Sequence, residues 1–251
     1  MARAPGSAAQ TEAHGQPIRE AAIAGSQVAW VRTIAGNTEA DDYLYTASLV
    51  RPTEQRLRTA IRTGDTSGAL EGSWIGGLVG SGTTLGVNTW TTDASGAVTS
   101  ASLRGIGAGR MTTLATGKPT MVASSADLGR IAVLRSDGTV GLYSAAGRLL
   151  RSFEPGAPKE VALRKDYLVV LTKARTLEIY NARTGALVRT WLVPAGASHL
   201  DVHSGIAVYS VWRSVHALQL TTGKDAVLAT ASRAVVGLEI EAPGAVYAFN
   251  R

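Results

Sequence analysis

The chain of 251 residues is 45% hydrophobic and 18% charged, with 28 Gly, 8 Pro and no Cys. That balance is too apolar for a disordered chain, and the length suffices to bury a substantial core. Zero cysteines exclude disulfide scaffolds, thiolate zinc sites and thiol nucleophiles, while 25 Lys and Arg against 19 Asp and Glu leave a formal charge of +6. No stretch approaches the ~18 continuous apolar residues of a membrane span.

Residues 1–16 hold Ala, Gly, Ser, Gln and Pro without an apolar run. They read as a disordered lead-in and not as the hydrophobic core of a secretory signal. Asp41, Asp42, Asp65, Asp93 and Asp127 are expected in loops, where Asp is a turn former before it is an acid catalyst. Arg56 to Arg62 alternates charge with Leu57, Thr59 and Ile61 at period two, which predicts an outer strand whose arginines face water and discourage edge pairing. The glycine-rich stretches 76–82 and 105–109 do not read as phosphate loops. Thr83 to Thr91 is β-rich where a helix would have to start, and Gly117-Lys118 is followed by Pro119 where a phosphate loop needs Ser or Thr. Trp30, Trp74, Trp90, Trp191 and Trp212 are expected within strands as packing residues.

A repeat governs the remainder. Gly109, Gly147, Gly185 and Gly223 fall 38 residues apart, and the last three lie in matching frames around Leu142-Tyr143, Ile179-Tyr180 and Leu218-Gln219-Leu220. Each frame reads as strand, tight turn, strand, with Gly supplying the positive φ of the turn. Ahead of each lies a second hairpin, as at Arg130 to Tyr143, where Asp137-Gly138 separates two β-rich runs. Corresponding runs are 167–171 with 176–180 and 206–211 with 215–220, and the further runs 161–163 and 199–202 make four short strands per unit. About forty residues and four strands per unit define a β-propeller blade. The predicted fold is therefore all-β, a single propeller domain over 17–251 with blades at about 17–64, 70–117, 119–157, 158–196 and 197–233. A sixth blade, 234–251, is incomplete: the next turn glycine would fall at 261, beyond Arg251. Its edge could be completed by another chain, giving edge-to-edge association, or the chain could be a truncated propeller without independent function.

The frame Ser136-Asp137-Gly138-Thr139-Val140-Gly141-Leu142-Tyr143 resembles the central hairpin of WD40 blades. Tyr180-Asn181-Ala182-Arg183-Thr184-Gly185 and Leu220-Thr221-Thr222-Gly223-Lys224 resemble the repeat of quinoprotein (PQQ-type) propellers. Across 17–251 the chain is similar to uncharacterised actinobacterial propeller proteins of these kinds, a resemblance that implies a bacterial source and an exported location, extracellular or in the cell envelope, with the cytoplasm as the alternative. The Gly-His and Trp-Asp pairs of WD40 blades are missing, as is the Trp that PQQ repeats place just after the Thr-Gly turn, so no quinone or other cofactor is expected.

One cluster could carry chemistry. His199, Asp201 and His203 alternate along one strand and so share a face, which could hold a metal; the other reading pairs Asp201 with one histidine in a polar channel lining. His14 and His216 have no pattern around them, Gly-x-Ser-x-Gly is absent, and no residue nominates itself as catalytic. The densest basic stretch, Lys159, Arg164, Lys165, Lys173 and Arg175, is split between opposite ends of a blade and diluted by Glu160, Asp166 and Glu178, which argues against nucleic acid. The expected function is a non-catalytic binding protein that presents loops and an axial channel to a protein or small ligand. A metal-dependent or other enzyme with its site at the channel is the alternative.

Overall fold

The computed structural model describes residues 18–36, 38–64, 70–107, 109–116, 121–135, 137–241 and 244–249; the lead-in and Asp65 fall outside them. The chain divides into two compact units, residues 1–121 with 145–148 and residues 122–144 with 149–251. No helix is present among the described residues, and none is long and apolar enough to cross a membrane.

The first unit is an antiparallel meander of β1 (Ile18–Ala24), β2 (Gln27–Ala35), β3 (Glu39–Ser48), β4 (Gln55–Gly64), β5 (Leu70–Ser81), β6 (Thr84–Thr92), β7 (Val98–Gly107) and β8 (Arg110–Thr116). The two four-stranded groups expected on either side of residues 65–69 are joined by a three-pair ladder, Arg62↔Gly72, Thr63↔Glu71 and Gly64↔Leu70. Gly72 permits the join: its φ of 136° and its lack of a Cβ let the backbone come against Ile61 and Arg62. Between the two groups lies a core of small and branched residues, Ala29, Val31, Leu44, Ala60, Ile75 and Val87 among them.

The second unit holds three four-stranded sheets and a two-stranded one. They are β9 (Met121–Asp127) to β12 (Leu149–Phe153) through β10 (Arg130–Arg135) and β11 (Val140–Ser144); β13 (Pro158–Arg164), β14 (Tyr167–Thr172), β15 (Thr176–Asn181) and β16 (Leu187–Leu192); β17 (Ala197–His203), β18 (Ile206–Val211), β19 (Ser214–Gln219) and β20 (Asp225–Thr230); and β21 (Val235–Glu241) with β22 (Gly244–Phe249). Burial follows strand order within each sheet. The second strand is an unbroken apolar run, Leu168 to Leu171 in β14, because sheets press on both its faces; the outermost strands β16 and β20 are almost wholly exposed. Separate cores fill the spaces between consecutive sheets, with Leu134, Phe153, Leu163 and Leu168 in one, Leu171, Ile179, Val202 and Tyr209 in the next, and Val215, Ala231 and Val235 in the last. Antiparallel meanders of about four strands each, following one another in sequence order, make an all-β propeller of about six blades, the first two joined into one eight-stranded sheet and the last with two strands among the described residues.

The repeat glycines do more than turn. Gly185 and Gly223 have φ of 84° and 72°, as hairpin turns require, and each also abuts the outer strand of the preceding sheet. A Cβ on Gly185 would meet Arg151 Cδ at 2.7 Å, and one on Gly223 would meet the Trp191 ring at 2.6 Å. Trp191 is held there by its indole N–H, which donates to Leu220 O at 2.9 Å.

Two expectations are corrected. On β4 the arginines turn inward and Ile61 outward: Arg62 is 5% exposed and Ile61 53%. Period two in the sequence names two faces without saying which is buried, and a buried counter-charge decides it. That counter-charge is Asp42. With Asp41 it belongs to strand β3, and Asp127 ends β9, so none of the three is in a loop; Asp93 does make a turn, accepting from Ser95 N and Ala97 N.

Candidate functional site

The three residues singled out for a metal lie on β17, the innermost strand of its sheet. Their alternation is interrupted: the ladder to β18 shifts between Ser198 and Asp201, and His199 takes a positive φ of 56°. His199 Nδ1 lies 2.8 Å from Ser210 Oγ and 3.1 Å from Ser198 Oγ. Asp201 accepts from Val202 N at 2.7 Å and, across to the next sheet, from Ile240 N at 2.8 Å. Among the described residues no group of three or more His, Asp or Glu is placed to hold a metal.

Asp201 instead belongs to a repeated device. On β1, β9 and β13, as on β17, a side-chain oxygen accepts a backbone N–H from the inner strand of the next blade or the residue that follows it: Glu20 from Leu78 (3.1 Å), Ser125 from Leu163 (2.9 Å), Asp127 from Lys165 (2.5 Å) and Glu160 from Leu200 (2.7 Å). Inner strands of neighbouring sheets diverge too far to share a ladder, so side chains satisfy N–H groups that would otherwise be buried unpaired. Asp201→Ala is expected to cost ~1–3 kcal/mol, the penalty of an unmet buried donor. Hydrogen exchange checks it locally: the Ile240 amide loses protection while β14 amides keep theirs.

Other ionisable side chains are spent in the same way. Asp42, fully buried, receives Arg62 through both terminal nitrogens (2.6 and 3.3 Å), Arg19 (3.2 Å) and the Thr33 hydroxyl (2.7 Å). Arg62 also lies over the Trp74 ring at 4.0 Å, and Trp74 stacks on Trp90. His216, patternless in sequence, is paired with Asp225 at 3.0 Å and stacked on Tyr209, whose hydroxyl is pushed up by burial first and the Asp225 carboxylate second. Tyr180 donates to Glu178 at 2.6 Å and Tyr43 to Asp41 at 3.0 Å.

Burial, reinforced by Asp41, pushes the Tyr43 hydroxyl up to about 12 from 10.0. The neutral phenol is the form the fold favours. The associated stability is fully present below pH ~10 and is lost as pH rises through about 12. In a spectrophotometric titration of the wild type against Tyr43→Phe, the difference is expected as a phenolate that appears only above the range of ordinary tyrosines; a Tyr43 phenolate complete by pH ~10.5 would contradict this.

Among the exposed large apolar side chains of the described residues, the one aromatic lies in a loop. Trp212, expected within a strand, occupies the β18–β19 turn with φ of 54° and is 68% exposed. The sequence around it carries no Gly, Asn or Asp to announce a turn; the only signal is that the flanking six-residue strands leave no other place to reverse. The turn is pinned from behind, since Trp212 O accepts from Val235 N at 2.8 Å and Arg213 O from Ala231 N at 2.8 Å. The Arg213 guanidinium lies 4.7 Å from the Trp212 ring centroid, and its Nη1 reaches Ser232 O at 3.5 Å. At the other end of the same sheet an open recess of about 430 Å³ is lined by Ser204, Gln219, Thr221 and Lys224.

No family model matches the sequence, and no curated protein matches it. Solved structures do. The chain is similar to Saccharomyces cerevisiae Sqt1, with a TM-score of 0.56 and 10% identity over 88% of this chain and 63% of that one. It is also similar to the WD40 beta propeller domain of Doa1, with a TM-score of 0.51 and 12% identity over 93% of this chain and 89% of that one. At these identities the likeness concerns the fold alone: an all-β, WD40-like propeller.

Proposed function

We propose that this chain is a non-catalytic propeller that binds a partner protein through the loop end carrying Trp212. The blades serve as the rigid support, assigned as 17–64, 70–117, 119–157, 158–196, 197–233 and the partial 234–251. The observation that carries the reading is an exposed tryptophan held in a left-handed turn by two backbone hydrogen bonds and backed by an arginine. Exposing an indole costs solvation energy and a positive φ costs ~1–2 kcal/mol, so folding alone would replace this residue with Gly or Asn. Tryptophan and arginine are the residues most enriched where binding energy concentrates, and a pinned backbone lowers the entropy cost of binding. The non-catalytic part is supported by the commitment of the described buried carboxylates to inter-sheet bonds and ion pairs.

Trp212→Ala is the test. Because the side chain is exposed, the melting temperature is expected to stay within about 2 °C of wild type. A protein recovered by affinity capture with the full chain, then purified and titrated directly, is expected to lose at least about tenfold in affinity for the variant. A purified partner indifferent to Trp212, or measurable turnover of a substrate by the chain, would overturn the reading.

A further inference from the structure

The end of the second unit that presents Trp212 includes, beside the linker 154–157 with its Glu154, whose Ala157 O accepts from Lys173 N at 2.8 Å, four loops of the sheets β13–β16 and β17–β20. They are the β14–β15 turn (Lys173-Ala174-Arg175), the linker 193–196, the β18–β19 turn (Trp212-Arg213) and the linker 231–234. Hydrogen bonds tie each linker to its turn: Val193 N donates to Arg175 O at 2.9 Å, and Ala231 N and Val235 N donate to Arg213 O and Trp212 O. The two sheets stand side by side through Glu160 and Leu200 N and through Lys159 Nζ, which donates to Ala197 O at 2.7 Å, so their turns face the same way.

These four loops contain Lys173, Arg175, Arg213 and Arg233 and not one Asp or Glu. Lys173, Arg175 and Arg233 are exposed, and none of the described ion pairs engages them. The loops at the opposite end of the same sheets carry Lys165, Arg183 and Lys224 with acids beside them: Arg183 pairs with Asp166 at 3.1 Å, and Asp166 and Asp225 adjoin Lys165 and Lys224 in sequence. Within these two sheets, the loops at the tryptophan end therefore lack the acidic neighbours that the opposite end provides. Arg175, like Trp212, holds a positive φ (64°) in a turn pinned by its own carbonyl. Both side chains project from backbones already fixed.

We infer that the partner presents an acidic peptide segment to this end, with one apolar side chain against Trp212 and carboxylates against Lys173, Arg175 and Arg233. This rests on the preceding reading that the Trp212 end binds a protein. Charge complementarity steers such a segment in and sets its register, while the indole supplies the buried anchor. A lipid surface fits less well, because apart from Trp212 the loops offer only alanines, a proline and one valine for insertion. A nucleic acid fits less well too, because a single aromatic gives no stacking platform.

The probe is a fluorescein-labelled peptide of eight glutamates around a central leucine, titrated into the full chain by anisotropy at low and at physiological salt. Saturable binding that weakens with salt is expected, with a loss of at least about fivefold for Trp212→Ala and about tenfold for Lys173→Glu combined with Arg175→Glu. Lys224→Glu, at the opposite end, is expected to change affinity by less than about twofold. No binding at low salt overturns the acidic preference, as does equal loss in Lys224→Glu or displacement of the peptide by phosphatidylserine vesicles or an oligonucleotide. If the peptide fails while a purified partner still depends on Trp212, the binding end stands and only the acidic partner falls; if both fail, both readings fall.

Discussion

Asp42→Ala is expected to destabilise the first unit by ~3–5 kcal/mol, the cost of stranding a buried charge. Arg62, almost fully buried, would keep its guanidinium without the carboxylate that now receives it twice. The Trp74 face at 4.0 Å remains and offsets part of the loss, on the order of 1–2 kcal/mol for a desolvated cation–π contact. Thr33 Oγ1 would lose its acceptor as well, and Arg19 would be left with Ile75 O and Glu20. For a chain of this length the melting temperature should fall by roughly 10 °C. Removing both charges is expected to hurt less than removing one: Asp42→Ala with Arg62→Met should recover at least about half of the loss, because no buried charge is then unmatched. Calorimetry of these two variants and of Arg62→Met alone decides the matter, and additivity of the two single losses in the double variant would mean that Asp42 and Arg62 are not the coupled pair the geometry makes them.

That network marks where sequence reading stops. Hairpins, their turn glycines and the four-strand period are local, written within ten or so residues, and the strands fall where alternation and Asp137-Gly138 place them. The buried side of β4 is a tertiary choice: Arg62 turns inward because Asp42, twenty residues earlier and itself in a strand, needs it, and neither residue announces the other. The surroundings of the β17 cluster were not legible in the sequence for a similar reason. Asp201 is bound to Ile240 N on a strand that begins thirty-four residues later, and the break at Ser198–Asp201 that shifts His199 has no sequence mark. Trp212 looked like strand because indole favours strands; its exposure follows from a reversal that β18 and β19 force on a run without turn formers.

The 38-residue period itself has a cause beyond turn chemistry, and substitutions at four glycines separate the two contributions. Gly196, Gly205, Gly185 and Gly223 all hold positive φ, so alanine at any of them pays a backbone cost of ~1 kcal/mol. At Gly196 and Gly205 a Cβ would meet nothing within 4 Å, and the loss should stop there. At Gly185 the obstacle is Arg151 Cδ, the middle of a flexible chain that can swing aside, so Gly185→Ala should cost scarcely more. At Gly223 the obstacle is the Trp191 ring at 2.6 Å, and that ring is anchored by its hydrogen bond to Leu220 O. It can retreat only by breaking that bond and opening the contact between sheets. Gly223→Ala is therefore expected to cost ~2–4 kcal/mol, the backbone term plus a lost hydrogen bond plus packing. Denaturant unfolding of the four variants should rank Gly223 well below the other three. In a Trp191→Ala background the same Gly223→Ala change should shrink toward the ~1 kcal/mol of Gly205→Ala, since only the strained φ is then left to oppose it. Equal losses at Gly205 and Gly223 would show that the period records turn geometry alone; the expected gap would show that each blade's turn is spaced to seat on the outer strand of the blade before it.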